Sequence, residues 1–177
     1  MKKVNLIGCI LLFSMITSYC GSNNGSSAGS AASTPTTQAN INWTSRTMSS
    51  AHTWYAVTYG NGLFVAVAYG PATAASTSPD GITWTARTLP VSAQWISVTY
   101  GNGTFVAVAD NSSIAATSTD GITWTQRALP SSAQWYSVAY GNNTFVAVAY
   151  GPSNKAATSP DGITWTARTM PSSAAWT

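Results

Sequence analysis

The sequence predicts an all-β fold built from one repeated four-stranded unit, and three observations support this prediction. All eight tryptophans fall at two positions of a repeat of about 40 residues. The pentapeptide FVAVA occurs three times, beginning at Phe64, Phe105 and Phe145. A motif of the form S-x-D-G-I-T-W also occurs three times, and the repeat region lacks the 3.6-residue apolar period of a helix.

The segment before the repeats has a different composition. Residues 1–19 contain two lysines followed by a short apolar run, which is typical of an export signal. Residues 20–40 are rich in Gly, Ser, Asn and Thr, which is typical of a flexible tether. A signal that ends at Cys20 and continues into such a tether resembles a bacterial lipoprotein. The resemblance implies lipidation of Cys20 and a location at the outer membrane or cell surface, with simple secretion or an uncleaved anchor as alternatives.

Each repeat is predicted to contain four short strands, described here for the first copy. The first strand is WYAVTY, residues 54–59, and the GNG turn after it suits a tight hairpin because Asn-Gly accepts positive φ. The second strand, FVAVA, has no polar face and is therefore expected to be buried on both sides. The third strand lies near 74–78, and the fourth, ITWTAR, is expected to end at Leu89-Pro90 because proline cannot donate to a ladder. The blades predicted in this way span about 53–88, 94–128 and 134–169.

Four antiparallel strands in each repeat of this length predict a β-propeller with one repeat per blade. The repeat region, residues 41–177, would then hold three full blades and partial strands at both ends, the first at 41–47. Because propellers typically close with roughly four to eight blades, we expect an incomplete propeller. It would be a fragment of a longer product, or several copies would assemble into one ring, with self-association through open blade edges. A β-trefoil is the alternative fold.

The repeated motif is similar to the Asp-box of bacterial neuraminidase (BNR) repeats, whose pattern is S-x-D-x-G-x-T-W. The resemblance implies a sialidase-like propeller in which the motif joins the third and fourth strands of a blade and is structural. In the present motif Asp and Gly are adjacent, so the turn is shorter. We expect the Asp side chain to accept hydrogen bonds from turn N–H groups and the Gly to adopt positive φ. The motif residues are Ser78, Asp80, Gly81, Thr83, Trp84, Ser118, Asp120, Gly121, Thr123, Trp124, Ser159, Asp161, Gly162, Thr164 and Trp165.

The residue inventory argues against catalysis. A sialidase-like site would need three converging arginines, a Tyr nucleophile with a Glu partner, and an acid/base Asp, but the sequence has no Glu. Its four arginines occupy one position of the repeat, which predicts a ring around the propeller rather than a converging site. His52 and Asp110 are the remaining acid/base candidates, and their repeat positions do not favour a pair. We therefore expect no catalytic residues. The alternatives are a fragment of a sialidase-like glycoside hydrolase whose catalytic blades are missing, and a purely structural repeat array.

Charge and motif patterns also disfavour other ligand classes. Charged residues make up 6% of the chain, and Lys2 and Lys3 account for two of the net +3 charges. Nucleic-acid binding needs clustered Lys and Arg, which the repeats lack. No Cys/His cluster has metal-ligand spacing, and the glycines form strand turns rather than a phosphate loop. We expect no metal, no cofactor and no nucleic-acid partner.

Differences between the copies indicate where a ligand would bind. In a propeller blade, the loops between the second and third strands share a face with the connections between blades. These loops differ among the three copies, whereas the turns on the other face are nearly identical. Because function often resides on variable loops, we predict a binding module for a glycan or protein ligand on this face, with sequence drift as the alternative. The candidate binding residues are Tyr69, Gln94, Asp110, Asn111, Gln134, Tyr150, Asn154 and Lys155.

Overall fold

The structure is a computed structural model that describes residues 43–174. The predicted export signal, the predicted tether and Cys20 lie outside the described residues. Within the described range, all regular elements are β-strands, and no helix is long and apolar enough to cross a membrane.

The twelve strands of this range form three four-stranded sheets, each of them an antiparallel meander in sequence order. The first blade contains β1 (Thr53–Gly60), β2 (Leu63–Tyr69), β3 (Ala72–Ser78) and β4 (Thr85–Ala93). The second contains β5 (Trp95–Gly101), β6 (Thr104–Ala109), β7 (Ser112–Ser118) and β8 (Thr125–Ala133). The third contains β9 (Trp135–Gly141), β10 (Thr144–Ala149), β11 (Ser153–Ser159) and β12 (Thr166–Ala174). The predicted partial β-propeller is confirmed, and the trefoil alternative is wrong.

The first hairpin of each blade turns where the sequence predicts it. Asn61 and Gly62 have φ values of 49° and 74°, and Asn102 and Gly103 repeat them at 47° and 74°. Glycine and asparagine tolerate this left-handed region better than other residues, which explains their use between β1 and β2 and between β5 and β6.

The fourth strands differ from their predicted ends. In the first blade, Ala74 pairs with Thr88 while Ala72 pairs with Ala93, so residues 89–92 bulge out of the ladder. Pro90 lies in this bulge, where its missing N–H removes no ladder bond. The expectation that the Leu-Pro pair ends the strand is therefore wrong, and the same bulge recurs in β8 and β12.

The amino-terminal partial strand is a second difference. Residues 43–48, which include most of the strand predicted at 41–47, form no strand. A fourth-type strand needs a third strand beside it, and the only first-blade partner of that kind, β3, is already paired with β4.

The hydrophobic core lies between neighbouring blades. Along β6, Phe105, Ala107 and Ala109 belong to the cluster shared with the first blade, while Val106 and Val108 belong to the cluster shared with the third. Both faces of this central strand are therefore buried, as its sequence predicts. The innermost strands β1, β5 and β9 pack side by side.

Two glycines set the distance between the inner strands. Gly60 lies against the ring of Tyr100 in the next blade, and Gly101 lies in the same way against the ring of Tyr140. A Cβ on either glycine would overlap ring carbons of the tyrosine. At each interface between neighbouring blades, a tyrosine ring of one blade therefore packs directly against the backbone of a glycine in the preceding blade.

Candidate functional site

The two faces of the propeller carry different structures. The turn face holds the Asn-Gly turns and the aspartate loops, and the Nδ2 of Asn61 donates to the carbonyl of Thr119 at 3.5 Å across this face. The loop face holds the β2–β3, β6–β7 and β10–β11 loops together with the blade connections. There, the Nζ of Lys155 donates to the carbonyl of Ser132 at 3.1 Å.

Each aspartate loop (residues 78–84, 118–124 and 159–165) is closed by its own side chains. In the first, the Oδ1 of Asp80 accepts the backbone N–H groups of Ile82 at 2.8 Å and Thr83 at 2.9 Å. Ser78 donates its hydroxyl to the same Oδ1 at 3.0 Å and accepts the N–H of Gly81 at 2.8 Å. One carboxylate oxygen therefore accepts three hydrogen bonds from donors in its own loop.

The other two loops repeat this arrangement. In the second, backbone hydrogen bonds from Thr123 and Ile122 lower the pKa of Asp120 to about 2. Corresponding bonds lower the pKa of Asp80 and Asp161. The carboxyls are thus ionised at neutral pH, whereas a general acid needs a raised pKa.

The motif tryptophans complete the loops. Trp124 donates its Nε1–H to the carbonyl of Gly121 at 3.2 Å, and Gly121 has a φ of 72°. Trp84 and Trp165 donate in the same way to Gly81 and Gly162. The motif residues therefore interact chiefly with one another, which is how a turn is built.

The blade arginines do not converge. Each lies on a fourth strand and donates from Nε to a threonine hydroxyl on the adjacent third strand, at 3.0–3.1 Å. These pairs are Arg87 with Thr77, Arg127 with Thr117, and Arg168 with Thr158. Across residues 43–174, no group of three or more His, Cys, Asp or Glu side chains is placed to hold a metal ion.

Four tyrosines meet on the loop face, and we call Tyr55, Tyr69, Tyr136 and Tyr150 the tyrosine cluster. The rings of Tyr55 and Tyr69 lie 5.3 Å apart between centroids, and those of Tyr136 and Tyr150 lie at the same separation. The hydroxyl oxygens of Tyr55 and Tyr136 are 3.4 Å apart. The cluster therefore joins a pair from the first blade to a pair from the third blade.

The second blade differs at both of these repeat positions. Ile96 replaces the first-strand tyrosine and is buried, and Asp110 replaces the tyrosine found at the end of β2 and directly after β10. Tyr69 packs against the buried cluster that contains Ile96. Because the middle blade offers a smaller apolar residue and a carboxylate here, the flanking tyrosines can approach one another.

The cluster remains accessible to solvent. Tyr55 is 48% exposed, Tyr136 37% and Tyr150 40%. The hydrogen bond with Tyr136, followed by burial and the charge of neighbours that include Asp110, raises the pKa of Tyr55 to about 12. Its phenol is consequently neutral at physiological pH and can donate or accept a hydrogen bond.

Asp110 is held in place by its own loop. Its Oδ1 accepts the N–H of Asn111 at 2.8 Å, and its Oδ2 accepts the side-chain amide of Asn111 at 2.9 Å. The carbonyl of Gln94 accepts the N–H of Asp110 at 2.9 Å. Asn111 adopts a φ of 50°, which asparagine tolerates.

The predicted binding residues divide into three groups. Tyr69, Tyr150 and Asp110 come together at the tyrosine cluster. Gln94 and Gln134 lie in the blade connections, and their backbone carbonyls accept hydrogen bonds from the loops; Gln134 accepts the N–H of Tyr150 at 2.7 Å. Asn111 positions Asp110. Asn154 and Lys155 are exposed on β11, away from any contact that joins them to the cluster within the described range.

The sequence interpretation missed Tyr55 and Tyr136. They lie inside first strands, and the available signal is the difference between WYAV, WISV and WYSV at the residue after the tryptophan. A single Tyr/Ile difference within a strand indicates core packing as readily as an accessible site.

The sequence matches the DUF6242 beta propeller domain over residues 39–176. The chain belongs to this family. No curated protein matches this DUF6242 chain.

Solved structures of low sequence identity share the fold of this DUF6242 propeller. Selenomethionine-substituted virginiamycin B lyase from Staphylococcus aureus is 14% identical with a TM-score of 0.59, over 67% of this chain and 41% of that chain. YCF48 bound to D1 peptide is 18% identical with a TM-score of 0.55, over 71% of this chain and 43% of that chain. The DUF6242 chain thus spans less than half the length of these propellers.

Proposed function

We propose that this chain is a non-catalytic binding module and that its ligand contacts the tyrosine cluster and Asp110. The observation that carries the proposal is the meeting of four tyrosines, from the first and third blades, beside the Asp110 carboxylate of the second blade. It occurs on the face where the repeats differ. Tyrosine supplies a large apolar ring with a polar end, and such residues are enriched where binding energy is concentrated.

The ligand is a protein segment or a glycan, and we favour a protein segment. Tyrosine is enriched in protein–protein interfaces, whose centres are depleted of charged residues. The cluster has the same character, since its rings come with a single neighbouring carboxylate. The propeller of YCF48, which shares the fold, was solved bound to a peptide.

The chemistry of the loops supports a role without catalysis. The Asp80, Asp120 and Asp161 carboxylates are engaged by their own backbone, and the arginines are spread over the three blades. A tyrosine nucleophile requires a lowered pKa, whereas the environment of Tyr55 raises its pKa. We also propose that the chain is exported and anchored through a lipid on Cys20, because of the signal-like segment and the tether that flank this cysteine.

Arrays of random peptides and of glycans, probed with the purified protein, test this function. We expect selective peptide binding that falls at least tenfold in Tyr55→Ala/Tyr136→Ala. Ile122→Ala, which truncates an exposed apolar residue on the turn face, is the control and should bind as the wild type does. Binding only to glycans would overturn the preference for protein. Binding that the tyrosine changes leave intact would overturn the assignment of the surface.

A further inference from the structure

Asp110 brings a negative charge to the tyrosine cluster, and the repeat determines where that charge lies. Asp110 occupies the position that Tyr69 holds in the first blade and Tyr150 holds in the third. Because equivalent positions of successive blades follow one another around a propeller, Asp110 lies between these two tyrosines. Its charge also contributes to the raised pKa of Tyr55. The carboxylate is therefore flanked by aromatic side chains from both neighbouring blades.

The hydrogen bonds that Asp110 makes leave acceptor capacity on both carboxylate oxygens. A carboxylate offers about four lone-pair positions to donors. Oδ1 and Oδ2 of Asp110 each accept one hydrogen bond, both from Asn111. In the described part of the chain, neither oxygen accepts a hydrogen bond from a cationic side chain, and Lys155 on the same face donates to Ser132 instead. The loop thus positions the charge of Asp110 without neutralising it.

A ligand that covers the tyrosine cluster also covers this charge. Asp110 is half-buried already, and a ligand would remove more of its water. Burial of a carboxylate without a partner is costly, because the lost hydration is not replaced. A cationic group on the ligand offsets that cost by pairing with the carboxylate as the water leaves. The cluster therefore favours a ligand that carries a positive charge.

The tyrosine rings favour the same kind of group. The face of an aromatic ring attracts a cation that lies within about 6 Å of the ring centroid. The centroids of Tyr55 and Tyr69 are 5.3 Å apart, as are those of Tyr136 and Tyr150, so a cation near one ring of a pair is close to the second. Tyr55, Tyr136 and Tyr150 are between 37% and 48% exposed, which leaves ring surface available to a ligand.

Arginine suits this combination better than lysine. The planar guanidinium stacks on aromatic faces and can donate two parallel hydrogen bonds to one carboxylate. The free acceptor positions on Oδ1 and Oδ2 of Asp110 match that pair of donors. The lysine ammonium is a more strongly hydrated point charge, so more hydration is lost when it enters a covered site.

We propose that the tyrosine cluster and Asp110 bind an arginine side chain of a peptide ligand. The guanidinium stacks on a tyrosine ring of the cluster and donates to the Asp110 carboxylate. This inference rests on the proposed function, because it names the chemical group that the same surface binds.

Three pools of fluorescein-labelled heptapeptides test the proposal. Each pool has one fixed central residue, which is arginine, citrulline or lysine, and flanks randomised over all residues except arginine and lysine. Citrulline keeps the shape of arginine but is neutral. In fluorescence anisotropy titrations with the purified protein, we expect the arginine pool to bind at least tenfold more tightly than the citrulline pool and more tightly than the lysine pool. Only the peptide changes in this comparison, so it does not depend on the folding of a variant.

Two variants of the protein locate the charge that arginine contacts. Asp110→Asn should abolish the preference for the arginine pool over the citrulline pool, because the amide carries no charge. Asp161→Asn is the matched control, since it removes the same charge from an aspartate loop on the turn face, and it should keep the preference. Circular dichroism verifies the folding of both variants, and affinities are compared per folded molecule.

The possible results separate this inference from the proposed function. Equal binding of the arginine and citrulline pools, abolished in Tyr55→Ala/Tyr136→Ala, would refute the choice of arginine and leave the proposed function in place. Equal binding of the arginine and lysine pools would also refute that choice. A preference for arginine that persists in Asp110→Asn would exclude Asp110 as the partner. If no pool binds, or if binding persists in the tyrosine variant, both the proposed function and this inference are wrong.

Discussion

The glycine at the end of β5 provides a sharp test of how the blades pack. Gly101 is buried and its φ lies outside the left-handed region, so alanine is compatible with its backbone. A Cβ at this position would overlap the ring of Tyr140 in the next blade. That ring is packed on Phe145 at a centroid distance of 4.6 Å, and this packing limits its retreat. The substitution Gly101→Ala must therefore force the second and third blades apart.

The expected cost follows from the overlap. Carbon atoms normally approach to about 3.5–4.0 Å, and overfilling a packed interior costs roughly 1–3 kcal/mol. The overlap involves several ring atoms, which favours the upper part of that range. Because alanine lowers the conformational entropy of the unfolded chain relative to glycine, the substitution also stabilises the folded state by roughly 0.4–1 kcal/mol, which offsets part of this cost. We therefore expect Gly101→Ala to lower the free energy of unfolding by about 2 kcal/mol and the Tm by roughly 10 °C.

Thermal unfolding followed by circular dichroism, at a concentration where the chain is monomeric, measures this cost. Gly141→Ala is the matched control because it makes the same change at the same repeat position where no atom lies within 4 Å. Its unfolding free energy should stay within about 0.5 kcal/mol of the wild type. The double variant Gly101→Ala/Tyr140→Ala should lose less unfolding free energy than the sum of the losses in the two single variants, because the alanine Cβ no longer meets a tyrosine ring. Equal destabilisation by both glycine changes would show that the cost comes from the backbone alone and not from overlap with the Tyr140 ring.

Two further predictions concern Asp120 and Cys20. Asp120→Asn should lower stability by about 1 kcal/mol, a value discounted because the carboxylate is exposed and screened. The pKa of Asp120 is lower in the folded state than in the unfolded state. The contribution of Asp120 to the free energy of unfolding is therefore complete above about pH 4 and is lost as the pH falls towards 2. Wild-type unfolding midpoints should therefore fall more steeply than those of Asp120→Asn across this interval, and parallel profiles would contradict the assignment. Expression with radioactive palmitate should label the wild type but not Cys20→Ala, and equal labelling of both would refute lipidation at this cysteine.

Local signals were sufficient to predict most of the fold. Asn61-Gly62 and its counterparts fix the first hairpins because these residues accept positive φ, and the 40-residue spacing fixes the number of strands per blade. The ends of the fourth strands were less predictable, because Pro90 is also compatible with a bulge after which pairing resumes at Ala93. A proline shows where a ladder bond is missing but not whether the strand continues beyond it.

The candidate site was predictable only in part. Differences between copies drew attention to Tyr69, Asp110 and Tyr150, which lie in or beside loops. Tyr55 and Tyr136 were missed because they lie within strands, where a change to isoleucine suggests core packing. Their meeting also depends on the angle between the blades, which brings the first and third blades together over the second. That angle is set by packing between sheets, and no short sequence motif predicts it.

We propose that this propeller binds its ligand through the tyrosine cluster and uses its aspartate loops for structure. The direct test compares Tyr55→Ala/Tyr136→Ala with Asp120→Asn in binding to the peptides selected on the array, per molecule of folded protein. We predict that the tyrosine variant loses binding at least tenfold per folded molecule, and that Asp120→Asn loses stability while keeping its affinity. Loss of affinity in Asp120→Asn, with binding retained in the tyrosine variant, would instead place the ligand at the aspartate loops and contradict the proposal.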